Sequence, residues 1–363
     1  MLADFPQMAE TPNQQQTAKN PLTVHPSCRQ WLDRTAQTLG ITTYLSAKVI
    51  FIGARNEKQA TLSSANSPRC MGAAASPDGQ TFWVASQHQL WRLERSPLPP
   101  TPPFDSEYAA RAAFTVGDVD GHDVAMPVDN DALPVFVAAR YSCLAKPAVH
   151  ACFDAVWKPP FITKIAAEDR CHLNGIAVRD GKPAYCTAVS ETDAVASWRH
   201  HRAGGGIVME IPSGNIVCRD LSMPHSPRWH EGNLYLINSG AGYFGKVDLA
   251  SGKFEPIAFL PGYGRGMVFS EGKAIVGLSD CRENRTFSGL PIDEELTKRG
   301  THARCAIYSV DLQTGETEEL VLFHDPIKEI YDVFLLPGTR YTRVLPLDQG
   351  LWHEDRTAEG ALS

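Results

Sequence analysis

The sequence predicts an all-β chain folded as a six-bladed β-propeller, closed by strands from both ends and preceded by a short helix. Three observations carry this. From Ile41 onward, short runs rich in β-branched and aromatic residues alternate with Gly, Pro, Asp and Asn, the pattern of many short antiparallel strands. One unit recurs almost intact: Met71-Gly72-Ala73-Ala74-Ala75, a turn at Ser76 to Gly79, then Thr81 to Ala85, matched by Asn174-Gly175-Ile176-Ala177-Val178, a turn at Arg179 to Gly181, then Ala184 to Ala188. Further copies begin at His122, Ser226, Gly264 and Tyr331, roughly 40 to 65 residues apart, which brackets the period of a four-stranded blade.

Taken in order, residues 1–25 are polar and aperiodic and read as a flexible leader. Leu32, Ala36 and Leu39 then share one face of a helix over Cys28 to Leu39. The propeller is expected over 26–340 and a polar tail over 341–363. The last unit, Tyr331 to Leu336, supplies a single strand, so the early strands Thr42 to Ser46 and Lys48 to Ile52 are expected to complete its blade. Such closure removes the exposed sheet edges that would otherwise aggregate. The longest insertions are Ser96 to Phe104, Ala194 to Arg202 and Cys281 to Arg304, with a helical run at Asp293 to Arg299. A β-sandwich with coincidental turns is the competing architecture.

Composition narrows the function classes. The formal charge of −7 and pI near 5.9 give no basic footprint, so neither nucleic acid nor an anionic membrane is an expected partner. No apolar run is long enough to span a bilayer and Met1 to Asn20 lacks a secretory core, which points to the cytoplasm. The nine cysteines form no CxxC pair and read as reduced, mostly buried thiols.

Several strings go beyond propeller patterning: Arg170-Cys171-His172-Leu173-Asn174-Gly175, Leu221 to His230, Phe259-Leu260-Pro261-Gly262-Tyr263, Arg282 to Pro291, and Ile330-Tyr331-Asp332-Val333. Together they resemble the bacterial family of conserved hypothetical proteins grouped as a domain of unknown function, DUF4915, from about Trp31 to Pro337. That resemblance implies a propeller and carries no reaction with it. Gly121 departs from the family pattern, which has a larger apolar residue there. The Asn174-Gly175-Ile176 opening is also similar to that of gluconolactonase and strictosidine-synthase type propellers, a likeness of fold that does not fix function.

In a propeller the innermost strand of each blade runs along the axis, so residues opening those strands are expected to share one well. That reading collects Arg69, His122 with Asp123, His172 with Asn174, His225 with Arg228, Arg265, and Tyr331 with Asp332. The sharpest expectation is a divalent metal of unknown identity held by His122, His172 and His225 with Asp123 or Asp332, since imidazole suits several transition metals. The alternative is that each imidazole merely fixes a strand start. Arg228, Arg265 and Arg282, with Asn174, are expected to bind an anionic small molecule or peptide, because a guanidinium fork grips carboxylate or phosphate. Asp332, Tyr331 and Glu283 are the candidate proton-handling residues of a hydrolase or lyase, with no nucleotide cofactor. The rival function is a non-catalytic scaffold for a protein or peptide.

Overall fold

The structure is a computed structural model that describes residues 21–126, 133–280 and 289–346. Its strands form six sheets, antiparallel but for one added edge strand, and the inner strands are Asp332–Pro337, Ala73–Ala75, Gly121–Ala125, Leu173–Arg179, Pro224–His230 and Tyr263–Ser270. Each inner strand packs against the next, and the sixth packs against the first, so the sheets close into a ring.

The first blade closes by strands from both ends as the sequence implies, with C-terminal Asp332–Pro337 paired to Gln37–Thr43, then Lys48–Asn56 and Gln59–Asn66; the expected strand Thr42 to Ser46 is displaced toward the N-terminus, because residues 44–47 form the turn into Lys48–Asn56. Two blades carry a fifth strand. Leu22–Val24 pairs with Thr317–Phe323 on the sixth blade, and Thr342–Val344 runs parallel to Ser106–Thr115 on the second. Both additions come from stretches read as leader and tail, and each covers an outer edge.

The first helix spans Pro26–Thr35, shorter than the expected Cys28 to Leu39. Pro26 suits the first turn, and Ala36 ends the helix in a left-handed conformation at φ 49°. Leu39 instead lies in a strand, opposite Leu335 and Ile52. Cys28, Trp31 and Leu32 pack into the seam between the first and sixth blades with Ile41, Ile50, Ile307 and Val321. The second helix, Pro291–Lys298, matches the helical run seen in sequence.

Apolar layers fill the seams between adjacent blades. Phe51 meets Phe82 edge-on at 6.1 Å across the first seam, and Tyr185 stacks on Trp229 at 5.9 Å across the fourth. Period-2 alternation explains this, because the two faces of a blade supply the two neighbouring seams. The described cysteines are free thiols, all but Cys152 buried.

Near the axis the backbones approach closely. A Cβ on Gly266, at φ +73°, would stand 2.6 Å from the Asp332 Cα. Gly266→Ala is therefore expected to cost on the order of 3 kcal/mol, read as a lower urea midpoint, since strain and overlap add.

Candidate functional site

An inner strand is a sheet edge, so its backbone groups need partners from the neighbouring blade. Short polar side chains supply them. Thr42 Oγ1 donates to the Met71 carbonyl at 2.5 Å, and Asp332 Oδ2 accepts the Ala73 N–H at 3.0 Å. The Gly72 N–H donates directly to the Gly121 carbonyl at 3.0 Å. Asp123 Oδ2 accepts the Ile176 N–H at 3.0 Å, and Asn174 Nδ2 donates to the Pro224 carbonyl at 2.9 Å. Ser226 Oγ accepts the Gly266 N–H at 2.9 Å, and Ser279 Oγ donates to the Ile330 carbonyl at 2.9 Å. These bonds latch all six junctions of the ring, so Asp332, Asp123 and Asn174 hold blades together.

Arg228 crosses from the fifth blade and closes the axis partway along. Its Nη1 and Nη2 donate to the two oxygens of Asp123 at 2.7 and 3.2 Å, and Nη2 lies 3.7 Å from Asp332 Oδ1. Nη1 also reaches the Ile176 and Pro227 carbonyls. One guanidinium thus serves two buried carboxylates. Burial, together with the nearby Asp123 charge, pushes the Asp332 carboxyl up to about 7 against the opposing pull of Arg228. A raised folded-state value means the native protein holds the proton more tightly than the unfolded chain. The Asp332 contribution to stability is therefore present below the ordinary carboxyl range and lost as pH rises through about 7. Urea midpoints of Asp332→Asn against the parent are expected to converge toward pH 5 and diverge by pH 8, with the parent losing relative to the variant.

Beyond this plug lies a polar cluster at the N-terminal ends of the inner strands. His122, 8 % exposed, directs Nδ1 at the Asp120 carbonyl at 2.9 Å. A carbonyl only accepts, so Nδ1 carries the proton and Nε2 of the neutral ring keeps its lone pair. Burial, reinforced by the neighbouring His172, holds the His122 imidazole well below its ordinary value and therefore neutral. His172 meets His122 edge-to-face with centroids 4.8 Å apart.

The His172 Nδ1 lies 2.9 and 3.1 Å from the two carboxylate oxygens of Asp169. Trp198 clamps the pair, stacking on the imidazole at 4.0 Å and donating Nε1–H to Asp169 at 2.7 Å. Burial alone would raise the Asp169 carboxyl, but His172 and the hydrogen bond from Trp198 outweigh it and hold it below the usual range. Nε2 of neither histidine hydrogen-bonds a described residue.

The Tyr331 ring lies edge-on to His122 at 5.5 Å and beneath the Arg265 guanidinium at 4.9 Å. Arg265 is in turn 3.7 Å from the buried Glu329. Exposure grades outward from Tyr331 and His122 through Asp169 to Asp120 and Arg69, which pair with each other at 3.0 Å. His172, Asp169, Asp120 and Arg69 all adopt positive φ, between 44° and 51°. Non-glycine residues pay for that conformation, and here they gather at one end of the axis.

The expected site residues thus divide between two layers. His122, His172, Tyr331 and Arg265 come together in the polar cluster, whereas Asp123, Asn174, Arg228 and Asp332 form the latches and plug. His225 is buried at the opening of the fifth inner strand. Among the described residues no group of three or more His, Cys, Asp or Glu is placed to hold a metal ion. Arg282 and Glu283 lie outside the described residues. Sequence reasoning missed Asp169, Asp120, Glu329 and the Trp198 clamp. Asp169, three residues before His172, was within reach of inspection, but nothing in the Ala194 to Arg202 loop announced the Trp198 clamp.

A family model described as "Domain of unknown function (DUF4915)" matches residues 26–345, a span that includes all six blades. The chain belongs to the DUF4915 family. No curated protein sequence matches this DUF4915 chain. Among solved structures it is similar to a chain of a nidogen/laminin complex, with TM-score 0.53 and 9 % identity over 83 % of this chain and 99 % of that one. It also resembles a protein of unknown function from Bacteroides caccae, with TM-score 0.47 and 11 % identity over 83 % and 98 %. A catalytically inactive virginiamycin B lyase from Staphylococcus aureus with quinupristin matches with TM-score 0.39 and 12 % identity over 66 % and 73 %. At these identities the first likeness speaks for the propeller of the DUF4915 chain and for nothing finer.

Proposed function

We propose that the polar cluster is a proton-transfer site acting on a small polar molecule by hydrolysis or elimination. The observation that supports this reading best is the pair of imidazoles. His122 is neutral with Nδ1–H fixed on a main-chain carbonyl, and it stands against His172, whose Nδ1 is tied to a carboxylate. A neutral, oriented imidazole with a second one beside it is what a base and a returning acid require.

In this reading His122 Nε2 takes a proton from water or from a substrate carbon, and His172, polarised by Asp169, delivers one to the leaving group. Tyr331 and Arg265 stand behind the reacting atoms, where the guanidinium suits a carbonyl or carboxylate oxygen. Arg228 is committed to Asp123, and Arg265 stands 3.7 Å from Glu329, so a bound oxygen shares the Arg265 guanidinium with that buried carboxylate. The test is a turnover screen of esters, lactones and β-substituted carboxylates with the parent and His122→Asn. Turnover lost in the variant supports the reading, and turnover that survives it overturns the assignment.

The scaffold alternative draws on the plug, because an axis closed by Arg228 is no through-channel. It predicts no turnover on any screened class and a polar cluster indifferent to substitution.

A further inference from the structure

Below the Arg228 plug, at the C-terminal ends of the inner strands, the axis opens into a cavity of ≈ 410 Å³. All six inner strands wall it, contributing Ala74, Val124, Ile176, Trp229, Met267 and Val333 among others. Its volume lies in the range of small-molecule sites, and its mainly apolar residues expose polar and apolar atoms in about equal measure, so it offers both an apolar wall and hydrogen-bonding edges.

Two polar features mark it as more than a gap in packing. Arg228 lines it, and although both terminal nitrogens are engaged, the Nε–H takes no acceptor among the described residues. Gln37 also lines it, and its Oε1 is a buried acceptor without a hydrogen-bond partner, which a donor entering with the ligand, such as a water molecule, would answer. The charge balance restricts the ligand. Arg228 is already answered by Asp123 at 2.7 Å with Asp332 at 3.7 Å, so an added anion would meet two carboxylates beside one cation.

We propose that this cavity is a ligand site for an uncharged amphipathic small molecule that joins a carbonyl oxygen to an apolar body. The carbonyl meets the Arg228 N–H, and the apolar body lies against Trp229, Met267 and the aliphatic wall. Occupation requires no opening of the plug, so the site is separate from the histidine cluster and does not depend on its chemistry.

The uncharged aromatic ketone prodan is a direct probe, because its emission shifts to the blue when it leaves water. Titration of the full chain is expected to give saturable one-to-one binding with a blue shift and with energy transfer from Trp229. Ala74→Phe and Val178→Phe narrow the cavity from two different blades, and both are expected to weaken binding at least tenfold while retaining cooperative urea unfolding. Val195→Ser, an exposed residue on a loop of the opposite face, leaves binding unchanged. The anionic probe 1-anilinonaphthalene-8-sulfonate is expected to bind at least tenfold more weakly than the ketone. Absence of saturable prodan binding, its persistence in both folded narrowing variants, or equal affinity for the sulfonate would each overturn the assignment.

Discussion

Arg228→Met is expected to destabilise the propeller by about 3–5 kcal/mol, measured by urea unfolding at neutral pH, because it leaves two buried carboxylates without their shared cation. Asp123 and Asp332 are 3 % and 2 % exposed, so solvent cannot substitute for the guanidinium. Methionine fills similar volume, which makes lost charge rather than lost packing the cause. The loss grows with pH. Asp332, already raised to about 7 with Arg228 present, ionises over the neutral range, and without the guanidinium each added negative charge meets Asp123 unopposed. At pH 5 the penalty shrinks as protons neutralise the pair. A variant as stable as the parent at pH 8 would mean that the plug is not a significant source of stability.

The second large effect concerns chemistry. His122→Asn keeps a donor near the Asp120 carbonyl but removes the Nε2 lone pair, and turnover should fall by about 10²–10⁴-fold, the usual worth of one positioned acid–base group. Asp169→Asn acts differently, since Asp169 meets His172 on its far side, at Nδ1, and otherwise accepts only the Trp198 N–H among the described residues. It is expected to lower kcat less than His122→Asn does while leaving KM unchanged, because the His172 imidazole keeps its place against Trp198 but loses the carboxylate that polarises it. Equal effects from the two variants, or a loss confined to KM, would indicate a structural rather than a positioning role for Asp169.

Much of the fold was legible because its signals are local. Repeated openings such as Met71-Gly72-Ala73 and Asn174-Gly175-Ile176 mark inner strands, and a lone C-terminal strand demands partners from the other end. The helix boundary was misplaced because Leu39 satisfies a helical spacing and a strand alternation equally well. Burial between Leu335 and Ile52 decided it, and that is a tertiary fact.

The site was legible only in part, and the reason is geometric. Successive residues of a strand project to different sides, so adjacent members of one candidate set diverge. His122 reaches the polar cluster while Asp123 binds Arg228, and Tyr331 and Asp332 part in the same way. Sequence located the ring of openings but not the depth at which each side chain acts. Asp169 and Trp198 come from loops whose course over the axis no strand periodicity encodes.

The account turns on His122 being a neutral base with its proton on Nδ1. Nitrogen-15 correlation spectra of histidine-labelled protein across pH 4 to 9 read this directly. The expected result is an Nδ1–H tautomer for His122 at neutral pH that stays unprotonated well below the ordinary imidazole range, as burial dictates. A His122 that carries its proton on Nε2, or that titrates at or above the value of a free imidazole, would contradict it.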